Sequence, residues 1–311
     1  MRFAILALAL AGCSTFPAPE PVTPSQGIID VHRHAFAQGM PGDSSAETVA
    51  RLDANDIALS AIHFATRDAY ENWSGEYGHR FLKGVSFPCW RDGTGEWFSC
   101  QWDDAAYPDL DWLRAEAEAG RLTHLGEIGF VYAGVSPTDP SMLPYWDFAA
   151  EFDLPVMVHV NRGPPADGGM RARGCCPDFD PDMGNPELLR PILERHPDLK
   201  IVLQHFGFPP LPMFDNIGYV EESFALLRDY PNVMADMSTF HSVPFLSAEQ
   251  HGVVVRRMQA EGLLDRLVLG SDGWPEGEII ARYEAMDFLS DAERQAIYRD
   301  NALRLFGMGT E

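Results

Sequence analysis

The sequence predicts a single (β/α)8 TIM barrel, and three observations carry that prediction. Short apolar runs alternate with amphipathic stretches from Gly27 onward, and strand alternating with helix means parallel strands joined by crossovers. Eight such units over about 240 residues suit a closed barrel. No Gly-rich phosphate turn follows the first run, which argues against an open doubly wound sheet.

In chain order the strand-like runs are Ile28–His32, Ala58–His63, Gly84–Phe87, Thr123–Glu127, Val156–Val160, Ile201–Gln204, Val233–Asp236 and Leu267–Ser271. The amphipathic segments between them are Ser45–Asn55, Leu110–Ala119, Tyr145–Phe152, Pro186–His196, Val220–Asp229, Ala248–Glu261 and Ile279–Leu289. Two long irregular stretches, Pro88–Pro108 and Asn161–Gly184, directly follow strands. A barrel puts such loops on its C-terminal face, where catalysis occurs.

The segment before the barrel reads as an export signal. Met1-Arg2 is a minimal positive start, and Phe3–Ala11 is too short to span a bilayer as a mature helix. Leu10-Ala11-Gly12-Cys13 resembles a bacterial lipobox, with residues 1–12 as the signal peptide and Cys13 as the acylated new N-terminus. Ser14 after Cys13 points to the outer membrane. Ser14–Gln26 holds four prolines and reads as a tether. The expectation is a lipid-anchored chain facing the periplasm, with the bilayer as one partner and a small molecule as the other.

Net charge is −23, and Lys83 and Lys200 are the only lysines. That excludes the basic footprint a nucleic-acid backbone demands. An oxidising compartment permits disulfides. Besides Cys13 the cysteines are Cys89, Cys100, Cys175 and Cys176. A Cys89–Cys100 bridge would close a short loop and is the preferred pairing. The adjacent Cys175 and Cys176 either form a vicinal bridge or pair elsewhere. No CxxC pair supports a structural zinc site.

Chemistry concentrates at the strand ends. Residues two apart on a strand point to one side, so His32 and His34 in Asp30-Val31-His32-Arg33-His34 aim together. Two converging imidazoles suit a divalent transition metal. An HxH alone is weak, since a buried histidine is more often simply hydrogen-bonded. Yet Glu127 ends strand four, His159 strand five, His205 follows strand six, and Asp272 follows strand eight. In a barrel all of them converge on one axis.

This set of residues resembles the amidohydrolase superfamily, and within it the amidohydrolase-related group that includes decarboxylases. The resemblance covers nearly all of Gly27 to Gly307, and Asn301-Ala302-Leu303-Arg304-Leu305-Phe306-Gly307 resembles the group's C-terminal ending. Gly126-Glu127-Ile128-Gly129 resembles the strand-four motif of TatD-type hydrolases, whose glutamate bridges two metals. Many relatives place a carbamylated lysine there instead, and none occurs near Glu127.

The resemblance implies a metal held by His32, His34, His159 and Asp272, with Asp272 also the general base. His205 is read as a ligand of a second metal or a stabiliser of substrate charge. Glu127 is read as a bridging ligand or as a hydrogen-bond partner of a ligand histidine. Zinc is the expected ion, one or two per chain, with manganese or iron as alternatives.

Weaker expectations surround this set. Arg162, Arg171 or Arg173 would clamp a substrate carboxylate or phosphate, against the plainer reading of surface ion pairs. Trp274 would wall the pocket or merely pack. His63 and His241 read as structural; His79, His124, His196 and His251 read as incidental. Three functions compete: a metallohydrolase of a small ester, amide, lactone or phosphoester, a metal-dependent decarboxylase, and a non-catalytic binding lipoprotein.

Overall fold

The eight apolar runs become eight parallel strands. They are β1 (Ile28–Ala35), β2 (Ile57–Phe64), β3 (Phe81–Phe87), β4 (His124–Ile128), β5 (Val156–His159), β6 (Ile201–Gln204), β7 (Val233–Asp236) and β8 (Leu267–Val268). They pair in sequence order, the topology of a (β/α)8 barrel. The computed structural model describes residues 27–35, 44–96, 99–162, 176–208, 218–238, 248–273 and 275–309. The expected signal peptide, Cys13 and the tether lie outside these residues.

Backbone bonds bring the last strand to the first. The Val31 N–H donates to the Leu269 carbonyl at 2.9 Å, and the Ser271 and Asp272 N–H groups both donate to the His32 carbonyl, at 3.2 and 2.7 Å. The predicted strand Leu267–Ser271 is regular over two residues only, and the stretch after Val268 is tied to β1 by these bonds.

The helices are α1 (Ser45–Ala54), α2 (Arg67–Asn72), α3 (Leu110–Glu118), α4 (Phe130–Ala133), α5 (Leu143–Glu151), α6 (Arg190–Arg195), α7 (Val220–Asp229), α8 (Ala248–Glu261), α9 (Glu276–Glu284), α10 (Asp291–Gln295) and α11 (Asn301–Leu305). Side-chain caps set several starts. Ser44 and Glu47 form a capping box at α1, Ser290 and Glu293 another at α10, and Asp109 caps α3. The Ser290 box also explains why the expected helix Ile279–Leu289 ends at Glu284: the chain must leave one helix to cap the next. The predicted helix Pro186–His196 opens as a 3₁₀ turn, Pro186–Leu189. Pro191, which lacks an N–H, sits in the first turn of the α-helical part.

Two apolar layers follow. One lies between barrel and helices and includes Leu52, Ile62, Phe64, Leu125, Ile128, Leu203 and Phe224. The other fills the bottom of the barrel with Ile29, Val31, Leu59, Ala61, Met157, Val202, Met234 and Val268, closed by Ala302, Leu303 and Leu305 of α11.

Bulges decide what reaches the mouth. Between Asp30 and Arg33, β1 advances three residues while β2 advances two, Ser60 to Ile62. The extra residue switches the facing parity. Ile29 and Val31 pack the bottom of the barrel, and higher up His32 and His34 take the inward positions. β4 repeats the device: Leu125 pairs with Val156 and Ile128 with Val158. Thus His124 and Glu127, three apart, both reach the interior.

Candidate metal centre

His32 and His34 stand at the inner end of β1, with His32 fully buried. Asp272 follows β8 in the left-handed region, φ 55°. Aspartate tolerates that conformation better than most residues. The His32 Nε2, His34 Nε2 and Asp272 Oδ1 atoms form a triangle whose three edges are all 3.4 Å. A tetrahedral ion with bonds of ~2.1 Å has ligand–ligand edges of roughly 3.4 Å. The triangle therefore fits one face of such a site, and its imidazole and carboxylate donors suit zinc.

A second group faces the first. Glu127 Oε1 lies 2.6 Å from His159 Nδ1 and 3.0 Å from His205 Nε2. Its other oxygen is 3.2 Å from His34 Nε2. Glu127 thus spans the two groups. His32, Glu127 and His205 offer a second set of ligand atoms within 4.8 Å of one another. The 2.6 and 3.0 Å separations are hydrogen-bond lengths, shorter than the edges of the first triangle. His159 Nε2 is buried without a hydrogen-bond partner among the described residues.

Charges in this mouth hold one another. Burial works against His34 and His205, but Asp272 and Glu127 push His34 up to about 10, and Glu127 and Asp272 push His205 up to about 9. Burial likewise opposes the carboxylates. His159, His205 and His34 nevertheless keep Glu127 well below its ordinary value, and His32 and His34 with His205 do the same for Asp272. The site carries paired charge where a cation would sit, and the donor set fits a divalent ion.

The backing of this site is largely β7, whose polar end Asp236 the sequence reading did not single out. The signal was available, since Asp236 ends its strand as Glu127 ends β4. Asp236 Oδ2 lies 3.1 Å from His32 Nδ1, and Ser238 Oγ lies 2.7 Å from the same nitrogen. Donation from Nδ1–H to the carboxylate leaves the Nε2 lone pair facing the triangle. Asp236 Oδ1 also accepts from the His205 and Ser238 N–H groups, at 3.1 and 2.9 Å. The His205 Nδ1–H donates to the Ser238 carbonyl at 2.7 Å, so His205 too presents Nε2 inward. Asp30 joins β1 to the turn after β8, accepting from the Ser271 N–H at 2.9 Å and hydroxyl at 2.7 Å. Gly270 permits this approach, since a Cβ there would stand 2.9 Å from His32 Cβ.

The remaining expectations divide. Arg162 is half-buried, close enough for its charge to act on the Tyr219 hydroxyl. Arg171, Arg173, Trp274 and His241 lie outside the described residues. Cys89 and Cys100 are joined by a disulfide, Cα–Cα 4.9 Å. Cys176 is also disulfide-bonded, and Cys175 lies outside the described residues. Next to that first bridge, Trp90 stacks on Tyr132 at 4.6 Å, and Tyr132 meets His159 edge-on at 5.0 Å. His124 needs correction. It is not incidental but fully buried at the start of β4, hydrogen-bonded to His63.

Comparison with known proteins agrees with this architecture. The family model described as Amidohydrolase matches residues 29–308. No curated protein sequence matches the chain. Among solved structures, a putative 2-pyrone-4,6-dicarboxylic acid hydrolase from Pseudomonas putida is similar with a TM-score of 0.61 at 20% identity, covering 92% of this chain and 99% of that one. An amidohydrolase from Burkholderia multivorans with bound zinc gives 0.60 at 19%, covering 91% and 99%. The 5-carboxyvanillate decarboxylase from Sphingomonas paucimobilis gives 0.60 at 14%, covering 92% and 100%. At these identities the likeness is one of fold.

Proposed function

The chain belongs to the amidohydrolase family, whose members are metal-dependent enzymes, and from that premise we propose that it hydrolyses a small ester, amide, lactone or phosphoester. One observation carries the reading: the 3.4 Å triangle of His32, His34 and Asp272 with the Glu127 carboxylate against it. His32, His34 and Asp272 would hold the first ion. Glu127, with His159 and His205, would border it or share a second, in keeping with the TatD-like Gly126–Gly129 motif. A bound divalent ion lowers the pKa of water toward ~7 and polarises the scissile bond.

The residues supply the rest. Asp272 stays ionised and accepts the proton that the attacking water loses, then returns it to the leaving group. His205, charged through Glu127, offers Nε2–H to the oxygen on which negative charge develops. Asp236 at His32 Nδ1 and the Ser238 carbonyl at His205 Nδ1 hold both rings with Nε2 turned to the site.

A decarboxylase is the second reading. It is favoured by the triangle being complete for one ion without Glu127, and the fold is shared with 5-carboxyvanillate decarboxylase. Metal analysis after growth with zinc and manganese, followed by a panel of lactones, esters, phosphoesters and aromatic acids, separates the two. Hydrolysis without carbon dioxide release supports the first reading. Carbon dioxide release from an aromatic acid replaces it with the second. Metal-free protein ends both.

We also propose that Cys13 is acylated and anchors the enzyme in the cell envelope, facing the periplasm. Among the described residues no helix is long and apolar enough to cross a membrane. Cys13→Ser should move the protein from the membrane fraction to the soluble one. Wild-type protein that is already soluble with Met1 attached would refute the anchor.

A further inference from the structure

Beneath the mouth lies a second cluster of histidines that the proposed chemistry does not use. In the strand register His34 pairs with His63, His63 with Gly84, and Gly84 with His124. These four positions form one lateral row across β1 to β4. A Cβ on Gly84 would stand 2.1 Å from His124 Nε2, so the His124 ring occupies the space a β3 side chain would fill. It thereby reaches His63: His63 Nδ1 and His124 Nε2 are 3.0 Å apart. On its other side His63 Nε2 lies 2.8 Å from Gln204 Nε2. All three side chains are fully buried.

Donor counting gives the chain one direction. The Thr123 hydroxyl donates to the Lys83 carbonyl at 3.1 Å, so His124 Nδ1, 3.0 Å from that oxygen, is the donor to it. A neutral His124 then accepts at Nε2 from His63 Nδ1–H, and His63 accepts at Nε2 from the Gln204 amide. Gln204 Oε1 is left without a partner among the described residues. The reverse polarity would satisfy that carbonyl but orphan the amide's N–H donors, and orphaned buried N–H groups are rarer than under-satisfied carbonyls.

The relay touches both halves of the metal centre. The His63 ring packs 5.1 Å from His32 and 5.3 Å from His34, centroid to centroid. Gln204 pairs in register with His159 and precedes His205 in the chain. We propose that the Gln204–His63–His124–Thr123 relay makes His63 a positioning residue: with both nitrogens engaged, its ring cannot rotate, and it fixes the β1 ligand pair relative to the ligands on β5 and β6. This rests on the metal-site reading above, and the test separates the two.

His124→Phe keeps an aromatic ring, somewhat larger, removes both nitrogens and touches no proposed ligand. Zinc affinity is read by competition with a chromogenic chelator, beside the apo melting temperature. The expected result is a loss of about tenfold in zinc affinity per folded molecule, the lower end of the scale for outer-shell partners, because His124 acts on the ligands through His63. Apo stability lost with zinc affinity unchanged would overturn the proposal, since a purely structural role predicts that. His124→Gln, which keeps one polar end, should recover part of the affinity. Should both variants misfold, wild-type protein with ¹⁵N-labelled histidine still decides. His63 and His124 must both show the Nδ1–H tautomer, unchanged by zinc, while His32 and His34 respond. An Nε2–H tautomer at His124 sinks the relay. A wild type that binds no zinc while showing the expected tautomers sinks the metal reading and, with it, the positioning role.

Discussion

The mouth and the floor of this barrel use the same side chain to opposite ends. At the mouth, His34 and His205 face Glu127 and Asp272 and are pushed up to about 10 and about 9 despite burial. One layer down, His63 and His124 hydrogen-bond to each other, to the Gln204 amide and to the Thr123 hydroxyl, with no carboxylate in hydrogen-bond reach among the described residues. Burial pushes His124 down to about 3, and burial with the nearby His124, His32 and His34 keeps His63 well below its ordinary value. The His32 and His63 rings are 5.1 Å apart, so depth alone does not separate the layers. Carboxylates do. His34 and His205, held beside Glu127 and Asp272, carry protons that a cation can displace, whereas His63 and His124, with no carboxylate in hydrogen-bond reach among the described residues, are built to stay neutral.

The sharpest break in that contrast is Asp272→Asn, which removes a mouth charge and leaves the imidazoles in place. Turnover should fall on the order of 10²-fold or more, the scale for losing a general base. Zinc is largely retained through His32 and His34, and the floor tautomers do not change. Full activity with metal retained would exclude Asp272 as the base.

A smaller effect comes from pH. His34 and His205 have raised pKa values, so in the metal-free protein both hold protons at neutral pH, and an ion on the first triangle must displace the one on His34. Zinc affinity therefore climbs with pH and flattens only above about 9 to 10. At pH 8 about one proton should leave as the His32, His34 and Asp272 triangle fills, and a second only where His205 also takes an ion. In the metal-free fold the sign is opposite. The stability these pairs contribute is complete below an ordinary histidine pKa, near ~6.5, and is lost as pH rises through about 9 to 10. Calorimetry in buffers of differing ionisation enthalpy counts the protons. A release near zero would mean the mouth imidazoles are already neutral, and the contrast with the floor would collapse.

How much of this was legible in the sequence follows the same division. The mouth residues announced themselves because each ends or follows an apolar run, and parallel strands bring such ends to one rim. Asp236 obeys the same rule, since it ends the apolar run Val233–Asp236, yet the sequence reading gave it no role. The floor was illegible for a stricter reason. His124 and Glu127 are three apart, and a period of two puts them on opposite faces. The extra residue in β4 brings both inward. Nor does a sequence show that Gly84 is small so that a ring from the next strand can occupy its place.

That glycine gives the smallest and cleanest test. Gly84→Ala adds one methyl at a position whose backbone an alanine accepts, because Gly84 is not among the residues with positive φ. Reduced freedom of the unfolded chain would by itself stabilise the variant by about 0.4–1 kcal/mol. The added Cβ, however, would stand 2.1 Å from His124 Nε2 and 2.7 Å from Cε1, far inside contact distance. The ring must swing out of its buried slot or the strands must part, an overpacking cost of ~1–3 kcal/mol. Destabilisation should win, and the melting temperature should fall. The cause can be isolated by a double-mutant cycle with His124→Ala. Removing the ring empties the slot, so Gly84→Ala should then cost nothing or stabilise, giving a coupling of about 1 kcal/mol or more between the two positions. Strictly additive losses would mean that the methyl meets the backbone instead, and that the floor is held by packing in general and not by the place of one imidazole.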